Sequence, residues 1–160
     1  MTAASMTSAL MAVEEAPESV YLHPGQLYTA SHATLVSTVL GSCVAVCLWD
    51  PVTRAGGMNH FLLPAGKGPR YGNEALTQLL DEMTVRGASV ARMVAKVFGG
   101  ACVVPGFTGA RKAIGTQNVE AALRFLAAHS IPVRGEQTGG VRGRKLLFHT
   151  GTGQAYVKEI

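Results

Sequence analysis

The sequence predicts an α+β fold, and three observations carry that expectation. Strand-like segments gather towards both ends of the chain, two helix-like segments are interspersed between them, and hairpin signals join neighbouring strands. Those hairpins favour mostly antiparallel or mixed pairing over a doubly wound parallel sheet.

The elements follow in order. Segment 43–49, CVAVCLW, is apolar at both alternating positions, as a strand covered on two faces must be. Asp50-Pro51 then starts a turn, and 57–63, GMNHFLL, reads as the returning strand. Residues 64–72, PAGKGPRYG, form a Gly/Pro-rich loop. Asn73 is placed to cap a helix over 74–86, with Leu76, Leu79, Leu80 and Met83 on one face and Gly87 ending it. A strand is expected over 90–98, then a loop over 101–113. A second helix over about 116–128 presents Val119, Leu123 and Leu126 on one face. Shorter strands are expected over 131–136, 144–149 and 154–159, with TGTG at 150–153 turning the last hairpin.

Length and composition bound the function. A chain of 160 residues with 48% hydrophobic and 15% charged residues suits one domain with one core and excludes a disordered chain. Residues 1–18 read as a loosely ordered tail and 19–160 as the domain. No apolar run reaches the roughly 18–20 residues that span a bilayer, and the N-terminus lacks the features of a secretory signal. Three cysteines, Cys43, Cys47 and Cys102, make no even-numbered disulfide framework, so reduced thiols and a cytoplasmic setting are expected. The net charge of +4 is scattered, which argues against nucleic acid and reads either as a solvated surface or as mild steering towards an acidic protein.

Chemistry gathers at Cys43 and His60. Gly41-Ser42 before the cysteine leaves room for a substrate and frees backbone N–H groups beside the thiol. A thiol with a free pKa of ~8.5 needs a base, and histidine is the usual one. If Pro51–Arg54 is a four-residue hairpin loop, Asp50 pairs with Ala55, Ala45 lies opposite His60, and Leu62 lies opposite Cys43. Cys43 and His60 then share a face as diagonal neighbours, with Cβ atoms ~7–8 Å apart or somewhat less. A slip of one residue would separate them. Cys47 and Cys102 read as core, as a lone strand cysteine usually is. Cys43, Cys47 and His60 do not converge as zinc ligands on a strand, so no metal is expected. His23, His32, His129 and His149 read as surface or satisfied histidines, and Gly139-Gly140 with Arg142 and Arg144 as a structural turn.

Five blocks, STVLGSCVAVCLWD (37–50), GGMNHFLLP (56–64), KVFGGA (96–101), IGTQN (114–118) and GGVRGRKLLF (139–148), resemble in order the CheD family of chemoreceptor glutamine deamidases. The resemblance runs from about residue 20 to the C-terminus. It implies a layered α/β/β/α mixed-sheet cysteine hydrolase fold, similar to that of cytotoxic necrotizing factor catalytic domains. It implies Cys43 as nucleophile, His60 as acid and base, and a third residue bearing a hydroxyl. The family threonine falls at Ser37, with Thr38 beside it as the alternative. Gln137-Thr138 stands where an acidic residue is expected.

The implied activity is that of a protein-glutamine glutaminase, without cofactor. The implied substrate is the helical cytoplasmic bundle of chemoreceptors, and a CheC-type phosphatase is the implied second partner. Two rival functions are a binding module that mainly docks such a phosphatase, and a cysteine peptidase of unrelated fold.

Overall fold

The structure is a computed structural model that describes residues 18–102 and 113–160. Its centre is β4 (Val44–Trp49), whose residues are buried up to the last, as two-sided cover requires. Val44, Val46 and Leu48 point into one apolar cluster, Ala45 and Cys47 into another. The hairpin partner is β5 (Gly56–Asn59). On the other side runs β6 (Val94–Gly99), also antiparallel. β2 (Leu27–Ala30) and β7 (Val133–Thr138) complete a five-stranded sheet of order β2-β5-β4-β6-β7.

A second sheet holds β1 (Glu18–Tyr21), β3 (Thr34–Leu40), β8 (Arg144–His149) and β9 (Ala155–Glu159), in the order β1-β3-β8-β9. Each sheet contains one parallel pair, β1 with β3 and β6 with β7; the remaining pairs are antiparallel. The mixed pairing expected from the hairpins is therefore present.

Two helices, α1 (Gly72–Val85) and α2 (Ile114–Ala128), pack on the five-stranded sheet. Leu76, Leu79, Leu80 and Met83 of α1 and Ala122 and Leu126 of α2 join Val44, Val46 and Leu48 in one core. A second core lies between the sheets, from Leu22, Val36, Leu40, Ala45, Cys47, Met58, Phe98, Leu146 and Phe148. The described residues thus form three layers: helices, sheet, sheet. The outer helical layer of an α/β/β/α arrangement has no counterpart among them.

The hairpin register agrees with the expected one. Asp50 N–H donates to Ala55 O (2.9 Å), Cys47 lies opposite Met58, and Val44 bridges Phe61. The same register sets Ala45 opposite His60. Asp50 is fully buried, and its carboxylate accepts from Val52 N, Ser89 N and the Arg92 guanidinium (2.8 Å to Nη2). Those bonds hold its pKa well below the usual carboxylate range, against the opposing effect of burial.

Some expectations need correction. Asn73 does not cap α1: Tyr71 occupies that position without a side-chain bond, and the Asn73 amide exchanges two hydrogen bonds with Gly66 in the preceding loop. The strand expected over 90–98 starts later, because Val90–Arg92 is a 3-10 turn. The strand expected over 57–63 stops at Asn59. Of the expected tail only Glu18, the first residue of β1, is described, and the loop 101–113 lies mostly outside the described residues. Gly87 does end the first helix, in a left-handed conformation (φ 90°).

Asp50→Ala should destabilise the protein by roughly 2–4 kcal/mol, because it strips buried N–H groups and Arg92 of their acceptor. Urea unfolding measures this. A loss under ~0.5 kcal/mol would show that the hairpin end does not depend on the carboxylate.

Candidate active site

The chain crosses from one sheet to the other in three residues. β3 ends at Leu40 in the four-stranded sheet, β4 starts at Val44 in the five-stranded one, and Gly41-Ser42-Cys43 joins them. All three carbonyls of this crossing are held. Ala101 N donates to Gly41 O (3.0 Å), Asn118 Nδ2 to Ser42 O (3.0 Å), and Gly100 N to Cys43 O (2.9 Å). Gly99 makes the close approach possible: a Cβ there would sit 2.2 Å from Cys43 O, and its φ of 108° suits only glycine. Buried Arg144 fixes that corner from below, donating to Gly99 O (2.9 Å) and Gly139 O (2.6 Å).

His60 follows the last residue of β5. The β4 ladder is interrupted just before it, at Asn59, and the His60 backbone faces the segment before β2, giving its N–H to Gln26 O (3.1 Å) and accepting from Gly25 N (2.8 Å). Asn59 fills the resulting gap, its Oδ1 accepting from Val46 N (2.9 Å). Val44 re-forms the ladder with Phe61, and this frame sets Cys43 and His60 on the face that meets the other sheet.

The imidazole meets a hydroxyl across the seam. Thr38 Oγ1 lies 2.7 Å from His60 Nδ1 and donates its proton to Leu22 O (2.8 Å). A hydroxyl has one proton to give, so Thr38 must accept from Nδ1–H. That fixes the tautomer and leaves a lone pair on Nε2, which is buried and has no hydrogen-bond partner among the described residues. An unsatisfied buried nitrogen is costly and calls for an explanation in function.

Ser37 was the expected hydroxyl; the structure puts Thr38 there instead. Inward-facing residues of β3 alternate as Thr34, Val36, Thr38 and Leu40, all buried, so Ser37 points away from the seam. Cys47 is core, its thiol pushed far up by burial. Cys102 is half-buried, and its N–H donates to Gly140 O (2.9 Å). His149 Nδ1 is satisfied by two turn N–H groups, His129 bonds to its own helix, and His32 pairs with Glu18. Gln137 is exposed on β7. Sequence reasoning missed Asn118, Asn59 and the clamping role of Arg144. Polar residues amid apolar runs were the available signal.

The family model described as CheD chemotactic sensory transduction matches residues 64–159. The chain belongs to the CheD family. A CheD relative from Anaeromyxobacter dehalogenans, named a probable chemoreceptor glutamine deamidase, is 52% identical over 88% of this chain and 84% of its own length. Relatives of the same description from Rhodospirillum rubrum (47%; 88% and 81%) and Stenotrophomonas maltophilia strain K279a (44%; 87% and 72%) are similarly close. Alignments of that extent include both Cys43 and His60, which the family model match does not reach. Among solved structures, a Neisseria meningitidis protein of the DUF152 family covers 87% of this chain and 69% of its own at 12% identity. Its TM-score is 0.47.

Electrostatics keeps this CheD-family pair neutral at rest. Burial, and then the neighbouring His23, lower the His60 pKa to about 4. Burial raises the Cys43 thiol, while its own backbone N–H favours the thiolate. The folded protein therefore binds fewer protons at His60 than the unfolded chain between pH 6.5 and about 4. His60 contributes stability above that window and loses it as pH falls through it, by about 3 kcal/mol. His60→Gln should flatten the acid-side slope of urea stability in this window, leaving a smaller part from His149, whose pKa burial also lowers. An unchanged slope would mean that His60 titrates normally in the fold.

Proposed function

We propose that this chain is a chemoreceptor glutamine deamidase, hydrolysing side-chain amides of chemoreceptor glutamines to glutamate and ammonia. The observation that carries the reading is His60. Its Nδ1 is fixed by Thr38, its Nε2 is unpartnered among the described residues, and it shares a sheet face with Cys43. The relatives named as probable chemoreceptor glutamine deamidases supply the substrate class.

The chemistry follows from those positions. The Cys43 thiol proton passes to His60 Nε2 as sulfur bonds to the amide carbon and the carbonyl π pair moves onto oxygen. Backbone N–H groups, that of Cys43 among them, hold the oxyanion. On its collapse the C–N bond breaks, and His60 gives the proton to departing ammonia. Water then attacks the thioester, losing a proton to His60. The C–S bond breaks, and the proton returns to sulfur. Thr38 stabilises the imidazolium by keeping Nδ1–H aimed at its oxygen. Neutral partners at rest fit a proton transfer that occurs only as substrate arrives.

The same reading takes the substrate to be the helical cytoplasmic bundle of the receptor, a CheC-type phosphatase to be a second partner, and the cytoplasm to be the setting. No helix among the described residues is long and apolar enough to cross a membrane. It also relates the fold to cytotoxic necrotizing factor catalytic domains, which the family resemblance supports.

Ammonia release and intact mass of a receptor cytoplasmic fragment test the reading together. Wild type should release ammonia and leave the fragment uncut, whereas a peptidase would cut it. Cys43→Ala should abolish release while keeping its fold, and Cys47→Ala should retain substantial activity. Folded Cys43→Ala that still deamidates would sink the mechanism.

A second series separates the hydroxyls. Thr38→Ala should slow turnover roughly ten- to a hundred-fold, the effect of losing one orienting hydrogen bond. Ser37→Ala should stay within about threefold of wild type, because that side chain leaves the seam. The opposite ranking would assign the third role to Ser37.

A further inference from the structure

Asn118 is a polar residue where the helix pattern asks for an apolar one. It sits on α2, is fully buried, and faces the five-stranded sheet. Asparagine is a poor helix former, and burying its amide is costly without good partners. Its Nδ2 donates to two carbonyls, Ser42 O (3.0 Å) and Leu62 O (2.9 Å). Two carbonyl acceptors require the NH2 end of the amide, so the side chain's orientation is determined. Its Oδ1 is buried without a partner among the described residues. The residue therefore tolerates one unsatisfied atom while making those two bonds.

The two carbonyls belong to the two halves of the site. Leu62 follows His60 by two residues and lies across the ladder from Cys43. Ser42 precedes Cys43, so its carbonyl and the Cys43 N–H belong to one peptide plane. All peptide bonds here are trans, so these two groups point in opposite directions. Holding Ser42 O against α2 therefore turns the Cys43 N–H away from the helix. That N–H meets no backbone acceptor among the described residues.

We propose that Asn118 is a positioning residue for deamidation, which sets the Ser42–Cys43 peptide so that the Cys43 N–H faces the oxyanion formed at the attacked amide. The inference rests on the deamidase reading above. It gives Asn118 no contact with substrate. Its bond to Leu62 O ties the same peptide to the segment that carries His60, so nucleophile, oxyanion donor and base move as one unit.

Two rates on the same variants test this. One is deamidation of a receptor cytoplasmic fragment, resolved into kcat and KM. The other is alkylation of Cys43 by iodoacetamide, a displacement at saturated carbon that creates no oxyanion. Asn118→Ala should lower kcat roughly ten- to a hundred-fold, with KM within about twofold of wild type and the alkylation rate, which feels that N–H only through the thiolate fraction, falling several-fold less than kcat. If the alanine variant does not fold, Asn118→Ser, which keeps one donor, should show a smaller loss confined to kcat. Unchanged kcat in a folded variant would overturn the inference and leave the deamidase reading intact. Equal losses in kcat and alkylation would overturn it too, by reducing Asn118 to general support of the thiol. A wild type that releases no ammonia but still alkylates would instead remove the deamidase reading, and this inference with it.

Discussion

One hydroxyl proton governs how the histidine is presented. Thr38 gives it to Leu22 O and so can only accept from His60 Nδ1. The bond crosses from β3 in one sheet to the end of β5 in the other, which places the imidazole in the seam between them. Burial there lowers its pKa, and the fixed tautomer leaves Nε2, without a partner among the described residues, as the atom that can take a proton. Each feature depends on the sheets being packed face to face, because neither sheet alone buries the ring or supplies the hydroxyl.

The thiol is held differently, through its main chain. The three carbonyls from Gly41 to Cys43 accept from Ala101, Asn118 and Gly100, groups that come from the end of β6 and from α2. Arg144 anchors the corner at Gly99 and Gly139. A short crossing with so many bonds is rigid, as a site must be when geometry is to favour a transition state. The helices thus serve the chemistry indirectly: α2 covers the core and also fixes the peptide beside the nucleophile.

Much of this was legible in the sequence where local chemistry and global pattern agree. Asp50-Pro51 announces the turn, two-sided apolarity marks β4, and parity then puts Cys43 and His60 on one face. β8 lies within the boundaries its alternation suggests. Legibility failed where short range did not decide. β1 and β2 are four residues each, too short for a period to register, and both are sheet edges. Asn73 has the right residue type for a cap, but its amide is engaged by Gly66. Ser37 and Thr38 both carry hydroxyls, so residue type could not choose between them. The alternation through Val36 and Leu40 could, because both neighbours are core. Asn118 escaped because an apolar-face reading of a helix ranks only the apolar positions.

The fold holds His60 as the Nδ1–H tautomer with the lone pair on Nε2. Nitrogen-15 NMR of the two imidazole nitrogens reads this directly. A protonated Nδ1 and an unprotonated Nε2 are expected at neutral pH, a pattern that persists to about pH 5 and reverts to tautomer exchange in Thr38→Ala. A proton on Nε2, or an imidazolium already formed at pH 6.5, would contradict it.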